Sequence, residues 1–133
     1  MIGVDTNVLV RHLTGDDPEQ SPRASAFFAE RSAADPAAIS IVTLAETVWV
    51  LIRGYGLPRE RVHAIVRALC ASRDVVVHHG ASVIRALRDA EDVGCDLPDA
   101  LIAHLGIDGG ADGTVTFDRR AGRLPGMLYL AES

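Results

Sequence analysis

Asp5, Glu46, Asp99 and Asp118 are the residues whose type and placement can do chemistry. Each follows a short apolar run or opens a predicted helix, in the contexts Val4-Asp5-Thr6-Asn7, Leu44-Ala45-Glu46-Thr47, Leu97-Pro98-Asp99-Ala100 and Thr116-Phe117-Asp118-Arg119. Gathered in space, four such acids make an oxygen cup for a divalent cation, and a cup of that kind hydrolyses phosphodiesters. Two unit charges about 4 Å apart repel by roughly 4 kcal/mol at an effective dielectric near 20. The cluster therefore needs a shared proton or a bound cation. Hard oxygen donors without a converging His or Cys favour Mg²⁺ or Mn²⁺ over Zn²⁺. His12, His63, His78, His79 and His104 show no ligand spacing, and His63 and His104 read as surface or core-edge residues of helices.

The elements that must position these acids alternate. Apolar runs at residues 2–4, 38–41, 75–77, 115–117 and 127–130 read as strands. Between them lie predicted helices at 7–13, 18–34, 44–52, 59–71, 81–92 and 97–107. The clearest is 59–71, with Val62, Ile65, Val66 and Leu69 at i, i+3, i+4 and i+7. Gly54-Tyr55-Gly56-Leu57-Pro58 is the strongest punctuation. Strand–helix alternation implies an α/β domain over residues 1–133, with a central, mainly parallel sheet of four to five strands flanked by helices. In such sheets ligands bind beyond the carboxyl ends of the strands. Connectivity puts all four acids on that edge, Asp5 and Asp118 after strands, Glu46 and Asp99 in first helical turns.

Each acid also has an ordinary structural reading. Asp5 suits the N-cap of a strand-to-helix turn, and Asp118 can cap a short turn. Thr43-x-x-Glu46 matches a capping box, although Trp49 and Val50 put Glu46 on an apolar stripe where an unpaired carboxylate is costly. Asp96 reads as the cap of a helix with Pro98 in its first turn, or as a fifth member of the cup. Arg119, Arg120 and Arg123 are either a solvated turn or phosphate contacts. The aromatics are too few and scattered for a base-stacking platform, and Trp49 and Phe27 read as core.

The net charge of −5 is unusual for a nucleic-acid-binding protein. Two divalent ions add +4 and bring it to −1, which removes the objection. All 13 basic residues are Arg. Cys70 and Cys95 are too few for a disulfide framework. Gly3 and Asp5 break the opening apolar run, against a signal peptide, and no segment reaches the ~18 apolar residues of a membrane helix. The expectation is a soluble, cytoplasmic protein.

Asp5-Thr6-Asn7, Leu44-Ala45-Glu46, Asp99-Ala100-Leu101-Ile102-Ala103 and Thr116-Phe117-Asp118 together resemble the PIN-domain family, specifically the VapC-type toxins of bacterial toxin–antitoxin pairs. The resemblance runs from residue 1 to about 130. It implies a PIN-like α/β fold and an endoribonuclease in which Asp5, Glu46, Asp99 and Asp118, with Asp96 as a further candidate, hold Mg²⁺ or Mn²⁺ and a metal-activated water attacks the RNA phosphodiester. Asn7 and Thr116 would orient the acids, and Arg119 and Arg120 would meet phosphates. It further implies a small antitoxin lying over the site and a homodimer. Val8 to Leu13, Phe27-Phe28 and Trp49 to Ile52 are candidates for the partner groove.

Two rivals compete. A non-catalytic, metal-binding interaction module of the same fold would use the acids as caps or as a structural ion site. Intact acids at all four positions weigh against it. A phosphohydrolase of the haloacid-dehalogenase kind also opens with Asp after a first strand. It needs a second Asp two residues on, where this chain has Asn7, and a Lys, which this chain lacks.

Overall fold

Three short apolar runs in the first 80 residues pair as parallel strands, and the crossovers that parallel pairing requires are helical. In the computed structural model, which describes residues 1–131, β1 (Ile2–Gly3), β2 (Ala37–Ile39) and β3 (Val75–Val77) form one sheet in the order β1-β2-β3. Ile2 lies beside Ala37, and Ala37 beside Val75. The chain divides into two compact units, Met1–Gly80 and the residues from Ala81 onward.

In the first unit, β1 leads into α1 (Thr6–Thr14), which ends where Gly15 takes a left-handed φ of 63° and its N–H reaches Arg11 O. Only glycine adopts that conformation without cost. α2 (Gln20–Ala29) starts where the Asp17 carboxylate accepts the backbone N–H groups of Glu19 and Gln20 at 3.0 and 2.7 Å. Pro22 does not break it, since a first-turn residue has no intrahelical acceptor to lose. The expected extension to residue 34 does not occur. Ser32 and Asp35 exchange backbone hydrogen bonds in a turn ahead of Pro36, and Arg31 folds onto Phe27 and Asp35.

α3 (Ile41–Trp49) begins three residues before the expected start. Ser40, not Thr43, is its cap, accepting the Thr43 N–H at 3.1 Å, so the capping-box reading of Glu46 fails and Glu46 sits in the second turn. Glu46 is exposed, and Trp49, expected in the core, is 62% exposed on the same outer side. The buried stripe is Leu44, Thr47, Val48 and Leu51. A π-helical turn over Val50–Gly54 comes next, then α4 (Arg59–Ala71), whose bounds match the periodicity. His63 of α4, expected at the surface or the core edge, is fully buried, with Val62 and Val66 of the same helix also buried. Burying a Leu such as Leu9 or Leu44 contributes about 1.5–3 kcal/mol, so these positions dominate this unit's stability.

The second unit holds α5 (Gly80–Val93), α6 (Leu97–Asp108) and two strands, β4 (Thr114–Thr116) and β5 (Met127–Tyr129). These pair in parallel with each other, Thr114 beside Met127 and Thr116 beside Tyr129. The expected single sheet of four to five strands is thus a three-stranded and a two-stranded sheet, all pairs parallel. Strands of two or three residues leave few hydrogen bonds to join further neighbours. Ala86, Leu87, Leu97, Ala100 and Leu101 are buried. Gly106 of α6 allows close approach to β4, because a Cβ there would lie 2.6 Å from Thr114 Oγ1. Asp89 of α5 and His104 of α6 join at 2.6 Å. No helix among the described residues is long and apolar enough to cross a membrane.

Candidate metal centre

Asp5 follows β1 and caps α1 with an extended backbone, its Oδ1 accepting the Thr6 N–H at 2.8 Å. Thr6 is buried, and its Oγ1 donates to Glu46 Oε2 at 3.2 Å. One threonine therefore links the two acids of the first unit, 40 residues apart in sequence. α3 reaches this place because Thr43 donates to Val4 O at 3.4 Å, tying the helix start to the end of β1. The cap reading of Asp5 is correct as local geometry and leaves Oδ2 for other work.

Asp5 and Asn7 line an open groove of about 530 Å³ with Val8, Arg11, Arg23 and Phe27. Arg11 is held there by Gln20 (3.0 Å), Asp16 (3.3 Å) and Tyr55 (3.3 Å). Phe27, expected as core, is half-buried on this wall, edge-on to Phe28.

The remaining acids gather in the second unit. Asp96 occupies the N-cap position of α6, and Asp99 lies in its first turn behind Pro98. Asp118 follows β4, its carboxylate accepting the N–H groups of Arg120 (2.8 Å) and Ala121 (3.0 Å), while its own N–H donates to Thr116 Oγ1 at 3.0 Å. Thr116 thus fixes the backbone that presents Asp118. The Asp99 carboxyl is pushed above the ordinary carboxylate range, by partial burial first and then by the charges of Asp96 and Asp118. A helix N-terminus ordinarily favours an anion; here burial and crowding prevail.

The arginines after Asp118 are partly engaged. The Arg119 guanidinium lies 4.7 Å from the centre of the Tyr129 ring, and Arg120 donates to Gly94 O at 3.4 Å. His12 stacks on Phe28 with its pKa lowered by burial, and His104 is bound to Asp89.

Among the described residues no three His, Cys, Asp or Glu side chains stand close enough to hold an ion together. In kind the donors fit a hard divalent cation, since they are carboxylates, and Asp99 carries an electrostatic cost that a positive charge would relieve. Sequence reasoning missed Thr6, whose only signal was its place between Asp5 and Asn7. Thr6, beside the expected Asn7, is the residue that donates to Glu46.

A family model described as PIN domain matches residues 2–127, across both units. No curated protein matches the chain.

Proposed function

Since the chain belongs to the PIN domain family, a family of metal-dependent nucleases, we propose that it is a Mg²⁺- or Mn²⁺-dependent endoribonuclease and the toxin of a bacterial toxin–antitoxin pair, acting in the cytoplasm. The observation that carries this reading is the family match over residues 2–127, and Asp99 supports it, its carboxyl raised by partial burial first and then by the charges of Asp96 and Asp118, a cost that a cation would relieve. Carboxylates used only for structure are satisfied by donors; this one is raised by burial and by like charge.

In this reading Asp5, Asp99 and Asp118 hold the ion, Asp96 adds charge, and Glu46 orients the attacking water. The bound ion supplies water activation and neutralises charge on the phosphodiester. Thr6 holds Glu46 in place against Asp5, and Thr116 fixes the loop that carries Asp118. Arg119 and Arg120 meet substrate phosphates, with Arg119 kept near its loop by Tyr129.

An antitoxin segment with apolar and acidic residues suits the groove of Val8, Phe27, Arg11 and Arg23. Exposed Val42 and Trp49 on the outer side of α3 favour a homodimer contact. The reading is tested by incubating purified protein with mixed RNA in Mg²⁺, Mn²⁺ or EDTA, beside Asp5→Asn and Asp99→Asn. Metal-dependent cleavage lost in both variants is the expected result. A folded wild type that binds Mn²⁺ by calorimetry but cuts no RNA would favour the interaction module instead.

A further inference from the structure

Phe117 is the most exposed of the large hydrophobic side chains, at 79%, and it directly precedes Asp118. A single exposed phenylalanine is ordinary, but this one leaves its ring free beside a candidate ligand acid and ahead of three arginines. The backbone around it is fixed. Leu130 N–H donates to Thr116 O at 2.8 Å on one side, and Asp118 is tied to Thr116, Arg120 and Ala121 on the other. The ring is therefore presented by an ordered loop.

With a cation offsetting Asp118, the arginines that follow the ring favour a polyanion. Arg119, Arg120 and Arg123 come soon after it in the chain and are exposed. Arg119 stacks on Tyr129, which keeps its charge beside the loop. An aromatic face next to guanidinium groups is the pattern that grips single-stranded nucleic acid, the ring stacking on a base while arginines track the backbone. One ring serves one base, so the small number of aromatics is no obstacle.

Resting on the nuclease reading above, we infer that Phe117 stacks on an unpaired nucleobase next to the cleaved phosphodiester and so directs the enzyme to single-stranded RNA. Bases inside a duplex are stacked on their neighbours and give the ring no face. The competing occupant is protein. Val115, Leu128 and Leu130 are also exposed, and with Phe117 they would make an apolar docking face. The neighbouring arginines decide for RNA.

The test uses fluorescence anisotropy with a labelled RNA of about 20 nucleotides containing all four bases, single-stranded or annealed to its complement. Binding is read in Mg²⁺ on an Asp5→Asn background, so the RNA stays whole. Phe117→Ala and Phe117→Leu should each weaken single-strand binding about tenfold, with duplex binding within about twofold, and Phe117→Trp should retain it. Mass by light scattering should not change. Equal single-strand affinity in all variants, retention by Phe117→Leu, or a fall in mass with unchanged RNA affinity would overturn the stacking role, the last in favour of a protein contact. Cleavage on the otherwise wild-type chain separates the two levels. Undiminished single-strand cleavage by Phe117→Ala overturns this inference alone, whereas a wild type inert toward every RNA overturns the nuclease reading and this inference with it.

Discussion

Asp16, Asp17 and Asp35 in the first unit and Asp99 in the second live under opposite conditions. In the first unit Asp16 accepts from Tyr55 (2.7 Å) and Thr14 (2.8 Å), Asp17 takes two backbone N–H groups, and Asp35 pairs with the N-terminal ammonium (2.7 Å) and Arg31 (2.9 Å). Hydrogen bonds first, then nearby positive charge, hold all three carboxyls below the ordinary range. In the second unit Asp99 is raised by burial and by two other acids. The first set is complete as folded. Asp99 is an anion only at a cost that its surroundings do not offset and that a positive charge would lower. Charge content alone does not separate these sets; the donors around each acid do.

The sharpest way to break that comparison is to neutralise one acid from each set. On the proposed function, in which Asp99 is a ligand, Asp99→Asn should lower metal-dependent RNA cleavage by on the order of a hundredfold or more. The same change should raise the melting temperature of the metal-free protein by relieving repulsion. Asp16→Asn should do the reverse, leaving cleavage within about twofold while lowering the melting temperature. Loss of stability in both variants would erase the distinction between the sets.

Thr6 tests a different arrangement within the first unit, since it joins an acid used as a cap to one that caps nothing. Thr6→Val keeps the shape and the N–H bond to Asp5 but removes the donor to Glu46. Activity or Mn²⁺ affinity should fall about 10- to 100-fold, the usual cost of losing an orienting partner. Thr6→Ser should restore most of it. Equal activity in Thr6→Val would make the 3.2 Å contact incidental.

How much of this was legible in the sequence depended on the kind of signal. α4 and β3 were read to the residue, because a clean 3.6 periodicity and an all-valine run leave one interpretation. The start of α3 was misplaced because Ser40 and Thr43 are both good caps, and only the tertiary bond from Thr43 to Val4 O commits Thr43 to the helix interior. Ala33 and Ala34 favour helix and hid the Ser32 to Asp35 turn. The division of strands into two sheets was invisible, since pairing partners of two- and three-residue strands carry little local pattern. Asp5 and Asp118 follow strands and Asp99 opens a helix, as their contexts implied, whereas Glu46 lies a turn deeper than expected. The environments of the acids were not legible, because hydrogen-bond donors such as Thr6 and Tyr55 come from elsewhere in the chain.

A third prediction concerns the ion. If the second set is short of positive charge, Mn²⁺ at about 100 times its dissociation constant should stabilise the fold by roughly 2.7 kcal/mol, a rise of several degrees in a thermal melt. Asp99→Asn should remove most of that rise, and Asp16→Asn should leave it intact. A shift unchanged in Asp99→Asn would put the ion elsewhere.

The smallest effect is also the most diagnostic, because the two sets should answer acid with opposite sign. Asp99 has a folded pKa above its ordinary 3.8, so the folded state binds its proton more tightly than the unfolded chain does. Its contribution to stability is full below that ordinary value and lost as pH rises through the raised one. Metal-free wild type should therefore be less stable than Asp99→Asn near neutral pH, by a gap that closes as pH falls through the raised pKa, while still above 3.8. Asp16 has a folded pKa below 3.8, so its contribution is full above that value and lost as pH falls through the lowered one. Wild type should be more stable than Asp16→Asn near neutral pH, and that gap should persist until the solution is more acidic than 3.8. Urea midpoints for the three proteins in EDTA, taken in steps from about pH 7 to about pH 3, resolve both gaps. Two gaps of the same sign would mean that Asp99 is as well satisfied as Asp16, and the case for a cation at the head of α6 would fall with it.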